Sequence, residues 1–113
     1  MLPKKRRILR KEFNSLLKGG KRYISSHFLL YIDKTDKQIP SKFAFSASKK
    51  VNKKAVGRNK LRRRGYSIIT KHLENIASGY ACFFSFKKGN SMVSFKIMEE
   101  EIVELLGQAH VLS

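Results

Sequence analysis

Nine of the sixteen residues from Lys49 to Arg64 are lysine or arginine, and no carboxylate stands among them. This run is where the chain can do chemistry. It reads Ser48-Lys49-Lys50-Val51-Asn52-Lys53-Lys54-Ala55-Val56-Gly57-Arg58-Asn59-Lys60-Leu61-Arg62-Arg63-Arg64. Each arginine offers a planar fork of donors matched to a phosphate, and each lysine adds a mobile point charge. Cations this close repel one another on a helix unless a counter-charge meets them. A merely solvated, solubilising face would mix both signs of charge. An acid-free run of this length points instead to a polyanion.

The rest of the chain sharpens that polarity. Residues 1–22 carry nine Lys/Arg against Glu12, residues 37–73 carry twelve and no acid, and the formal net charge is +17. The sign reverses near the end, where Lys96 faces Glu99, Glu100, Glu101 and Glu104. On sequence these glutamates form a solvated acidic helix face. A protein nuclease needs metal-holding carboxylates or a histidine acid/base pair. Neither pattern is present: Asp33 and Asp36 fall in a polar loop, and His27, His72 and His110 are scattered. His72 falls on an apolar helical arc and reads as a core or border residue. Cys82, the only cysteine, sits in an apolar run and reads as a small buried hydrophobe. No run of about 18 apolar residues offers a membrane span, and no apolar signal-peptide core follows the basic start. The expected location is cytoplasmic.

These residues need a scaffold to position them. Phe13, Leu16 and Leu17 repeat at helical spacing, predicting a short helix over Arg10–Lys18 that stops at Gly19-Gly20. Tyr23-Ile24 and Phe28–Ile32 read as strands around a tight Ser25-Ser26-His27 turn. From Lys42 to Ala47 the pattern alternates, with Phe43, Phe45 and Ala47 on one face and small residues on the other. That small-residue face leaves room for something to lie against it. Asn52 predicts the cap of a helix reaching about Ile76, with Leu61, Gly65, Ile68, Ile69 and His72 on one arc. Gly65 is costly inside a helix unless the helix packs closely on a sheet there. Tyr80–Phe86 reads as a fourth strand and Phe95–Gln108 as an amphipathic helix. The order α-β-β-β-α-β-α predicts an α/β (α+β) two-layer sandwich over a four-stranded sheet. With 113 residues and no linker or repeat, residues 1–113 read as one domain, with residues 1–9 a flexible basic tail.

The order within the basic run matters more than its count. Ser48-Lys49-Lys50, followed after seven residues by Arg58-Asn59-Lys60-Leu61-Arg62-Arg63, resembles the signature of the bacterial ribonuclease P protein family. The likeness extends to the basic start, Phe13 and the Phe28–Ile32 strand with Tyr31. Lys60 stands where that family usually has Arg, Arg62 where it has Lys, and Gly65-Tyr66 where it carries a further Arg. The resemblance implies a ribosomal-protein-like domain with a left-handed crossover. It implies an accessory subunit of an endoribonuclease whose RNA subunit removes the 5′ leader of precursor tRNA. Magnesium ions would be held mainly by that RNA, with none bound by the isolated protein. The implied partners are ribonuclease P RNA and precursor tRNA, with no membrane and no obligate protein partner. Lys53, Lys54, Arg58, Asn59, Lys60, Arg62 and Arg63 would face the catalytic RNA. Phe13, Leu17, Tyr31, Ser46, Lys49 and Lys50 would line a groove for the single-stranded leader. Plain helix-to-sheet core is the competing reading for Phe13 and Leu17.

A structural ribosomal-RNA binder shares the charge and size but not the Arg58-Asn59-Lys60 context. A DNA regulator reading a major groove with the 52–76 helix would need a helix-turn-helix partner that the sequence lacks. Phe13, Leu16 and Leu17 are too few for a membrane-surface helix.

Overall fold

A computed structural model of the chain describes residues 6–8, 10–87 and 94–112. The elements are α1 (Arg10–Gly19), β1 (Lys21–Ile24), β2 (Phe28–Lys34), β3 (Lys42–Ser46), α2 (Ala55–His72), β4 (Tyr80–Phe86) and α3 (Phe95–Gln108). The sheet order is β1-β2-β4-β3. β1 and β2 pair antiparallel, as do β2 and β4, whereas β3 and β4 run parallel. A parallel neighbour cannot be reached through a hairpin, so α2 forms the crossover between β3 and β4.

Strand alternation divides the side chains between two layers. Phe28, Leu30, Ile32, Phe43, Phe45, Cys82, Phe84 and Phe86 face α2 and α3 and build the main core with Leu61, Ile68, Ile69, Met98, Ile102, Leu105 and Leu106. Phe45 stacks on Phe84 with ring centroids 4.9 Å apart. Burial pushes the Cys82 thiol up, so it stays a neutral hydrophobe. The opposite face carries a smaller cluster of Ile8, Leu16, Ala44 and Ala81, with Phe13, Tyr31 and Phe83 against it. The small side chains of β3 leave room for α1, as the alternation implied.

Gly65 is explained by close approach. A Cβ there would come 2.6 Å from the Phe45 ring. With α2 pressed this close, Tyr66 packs edge-on against Phe45 at 5.2 Å, and its hydroxyl accepts a hydrogen bond from the Phe45 N–H at 3.4 Å. An edge-strand donor is thereby satisfied without another strand.

Three expectations need correction. α2 begins at Ala55, not Asn52. The Asn52 side chain accepts from the Lys54 N–H and so builds the turn before the helix. α2 ends at His72, and a single 3-10 turn, Leu73–Asn75, completes the segment. The basic tail is not wholly loose: Arg7 bridges to Phe43 and the Ile8 N–H donates to the Phe43 carbonyl. Residues 1–5 and 9 of that tail lie outside the described residues.

A candidate RNA-binding surface

The first part of the site is a groove on the α1 face of the sheet. The register stacks three rows of outward residues across β2, β4 and β3: Asp33–Ala81–Lys42, Tyr31–Phe83–Ala44 and Leu29–Ser85–Ser46. α1 crosses the first two. Lys42 Nζ donates to Glu12 of α1 at 3.3 Å, and Phe13 meets Phe83 edge-on at 5.0 Å. Tyr31 stacks beside Phe83 at 5.9 Å and 21°. The third row extends to Ile24 of β1, which is 62% exposed. The result is an aromatic wall beside a shallower strip of small and polar groups. Lys49 and Lys50 stand exposed in the turn at the end of β3.

The expected groove residues lie on this face, with Phe13 and Tyr31 also packed against the smaller cluster. Phe13 and Tyr31 are half-buried, and Leu17 is 48% exposed and so is not core. Ser46 lies at the strip's far end. Phe83 and Leu29 are additions that sequence reasoning missed. Phe83 sits inside Tyr80–Phe86, where apolar residues occupy both faces and hide the period-2 signal.

The second part is the outer face of α2. Its N-terminus has no side-chain cap and no acid in the first turn. Exposed Lys53 and Lys54 adjoin those unsatisfied N–H groups, and the helix dipole adds positive potential there. Arg58 is only partly outward. Its Nη1 donates to the Asn52 carbonyl at 3.1 Å and the Lys53 carbonyl at 2.9 Å, bracing the loop that carries the lysines. The Asn59 side chain accepts from Arg62, which pre-orients that guanidinium. Val56, Asn59, Arg62, Arg63 and Tyr66 line an open hollow of about 580 Å³. A second hollow of about 420 Å³ continues along Arg63, Tyr66, Ser67, Thr70 and Lys71. Lys60 is exposed on the other flank of the helix. The motif residues therefore do not converge on one point; they spread around Arg63 as a strip.

The acidic end behaves differently from the expectation. Two of its four glutamates are engaged rather than solvated. Glu99 Oε2 takes Lys71 Nζ at 2.9 Å and His72 Nε2 at 2.8 Å, and these bonds hold its carboxyl below the usual range. Burial alone would raise Glu101, but hydrogen bonds from Ser25 and His27 outweigh it and keep the carboxyl low. Among the described residues no group of three or more His, Cys, Asp or Glu could hold a metal ion, and no helix is long and apolar enough to cross a membrane.

A basic helix and an aromatic groove, both carried on an α+β sandwich, mark an RNA-binding protein. The profile of the Ribonuclease P family matches residues 2–110. The ribonuclease P protein component of Microcystis aeruginosa is 34% identical over 106 residues, covering 91% of this chain and 88% of that protein. That of Rippkaea orientalis is 33% identical over 116 residues, covering 98% and 91%. Among solved structures, the Staphylococcus aureus RNase P protein superposes with a TM-score of 0.83 at 22% identity, covering 96% of this chain and 98% of that one. The Thermotoga maritima protein gives 0.81 at 25% identity, covering 90% and 96%. The chain belongs to the ribonuclease P protein family.

Proposed function

We propose that this chain is the accessory protein of a ribonuclease P that removes the 5′ leader of precursor tRNA, with hydrolysis performed by the RNA subunit. The observation that carries the reading is that two phosphate-competent surfaces approach each other at the turn between β3 and α2: the α2 strip for the RNA subunit, and the groove on the opposite face of the sheet, ending near Lys49 and Lys50, for the leader. Stacking on Phe13, Tyr31 and Phe83 would hold bases without regard to sequence, at roughly 1–3 kcal/mol per base. Leu17 contributes packing only. Lys53, Lys54, Arg58, Asn59, Lys60, Arg62 and Arg63 would neutralise and orient RNA phosphates.

Among the described residues the carboxylates do not gather into a group of three that could hold a metal ion. Glu12, Glu99 and Glu101 are paired with protein groups, while Asp33 and Asp36 accept local backbone N–H bonds. Magnesium would be held mainly by the RNA, and the protein's part would be to bind, screen charge and position the substrate in the cytoplasm. The structural ribosomal-RNA reading is not favoured, because the family match spans nearly the whole chain.

The test is cleavage of a precursor tRNA by the cognate RNA subunit at low magnesium, with and without the protein. Restored cleavage by wild type, weakened by Arg62→Ala, is the expected result. RNA binding with no change in cleavage would overturn the proposal.

A further inference from the structure

The sheet has a second open region, on the face opposite the leader groove. α3 covers the core face as far as Gln108, and Ala109, Val111 and Leu112 continue to pack on the main core. Beyond it, Lys21 and Tyr23 of β1, Ile32 and Lys34 of β2, and Tyr80 of β4 share that face by register. They line a cavity of about 440 Å³, closed at one end by His110. A second hollow of about 370 Å³ adjoins it through the shared Lys34 and Tyr80 and continues to Lys37.

Three properties fit this furrow to RNA. Tyr23 and Tyr80 are half-buried and anchored against the main core, so they offer rigid ring surfaces. Lys21, Lys34 and Lys37 are exposed, and none has an ion-pair partner among the described residues. One carboxylate, Asp33, is on the rim, where it accepts the Lys34 N–H at 2.9 Å. The walls are also preformed. Thr35 N–H donates to the Gly79 carbonyl at 2.7 Å, and the Gly79 N–H donates to Ile39 at 2.9 Å. Ser78 Oγ donates to the Lys37 carbonyl at 2.8 Å. Gly79 itself has φ +87°, a conformation that suits glycine.

His110 supplies an independent clue. It occupies the left-handed region at φ 60°, the only non-glycine among the described residues to do so. It follows the end of α3, where glycine is the usual residue. A side chain kept at a strained position and directed to a cavity is a pointer to function. An imidazole there can donate to a phosphate or a base edge.

We infer that this furrow is a second RNA contact, taking an unpaired nucleotide with its base against Tyr23 or Tyr80 and its phosphate between Lys21, Lys34 and His110. The inference rests on the RNA-binding function proposed above but adds a site on the other face of the sheet. The test is an amide chemical-shift titration of the full-length protein with a short polyuridine RNA, alongside Lys34→Gln and His110→Gly. Shifts are expected at Lys21, Tyr23, Lys34, Tyr80 and His110 in addition to those of the groove and α2. Each variant should bind the oligonucleotide on the order of three- to tenfold more weakly. His110→Gly should weaken binding while leaving the unfolding midpoint equal or higher, which a general loss of structure could not do. Repeating the affinity measurement with the RNA subunit and with precursor tRNA identifies which RNA supplies the nucleotide. Shifts confined to the groove and α2, or wild-type affinity in both variants, would overturn the furrow and leave the RNA-binding function standing. No shifts anywhere would remove both.

Discussion

Gly65 and Tyr66 are neighbours on α2, and the structure gives them one joint task. Gly65 lets α2 approach β3 until a Cβ would lie 2.6 Å from the Phe45 ring. Tyr66 then reaches the Phe45 N–H and packs on its ring. Helix propensity alone favours Gly65→Ala by roughly 1 kcal/mol. Overpacking a filled core typically costs about 1–3 kcal/mol, and here the steric term wins, because ring atoms of a residue stacked on Phe84 cannot swing away. We therefore expect Gly65→Ala to lower stability in urea denaturation. It should also weaken RNA binding, since the strip around Arg62 and Arg63 would be tilted off the sheet. Unchanged stability would show that the helix can lift freely. Tyr66 carries no charge, and it lines both hollows of the strip.

Among the elements, α3 shows where acidic residues do structural work in a basic protein. Glu99 joins α3 to the end of α2, and Glu101 joins it to the β1–β2 turn. Both carboxyls are held below their usual range. A depressed folded pKa gives stability that is fully present above the unfolded value, about 4.3, and is lost as pH falls through the folded value. Wild type should therefore lose stability on acidification below about pH 5. The Glu99→Gln/Glu101→Gln double variant should start less stable at neutral pH and lose less over the same range. Parallel acid limbs in urea midpoints would reject this account. These clasps were invisible in the sequence because the partners of Glu101 lie 74 and 76 residues away. By contrast, β4 could be read directly as a short apolar run and α3 from its helical periodicity, since both signals are local. The start of α2 could not, because Asn52 can cap a helix or build the preceding turn, and its contact with Lys54 decides for the turn. The same division holds at the site. The motif from Lys49 to Arg63 is contiguous and legible, whereas Phe83 joins the groove only through sheet register with Tyr31 and Ala44.

Across the whole molecule, a net charge of +17 and a few internal ion pairs leave most cations unneutralised, so folding and RNA binding are electrostatically linked. Self-repulsion weakens the compact state, and a polyanion relieves it. Protein affinity for RNA then depends on counterions released from phosphates. If the α2 strip and groove together neutralise about five phosphates, log K should fall with log salt at a slope of about −3.5 to −4.5. Removing both Arg62 and Arg63 should make that slope shallower by roughly 1.4 to 1.8, at about 0.7 to 0.9 per lost phosphate contact. Phe83→Leu should behave in the opposite way. It removes a stacking surface and no charge, so affinity for leader-bearing precursor should drop with little change in slope. Measuring both variants over one salt series separates the two surfaces without any cleavage assay. If Phe83→Leu flattened the slope as much as the arginine pair, the groove would be holding phosphates rather than bases, and Lys49 and Lys50, not the aromatic wall, would be its principal contact with the leader.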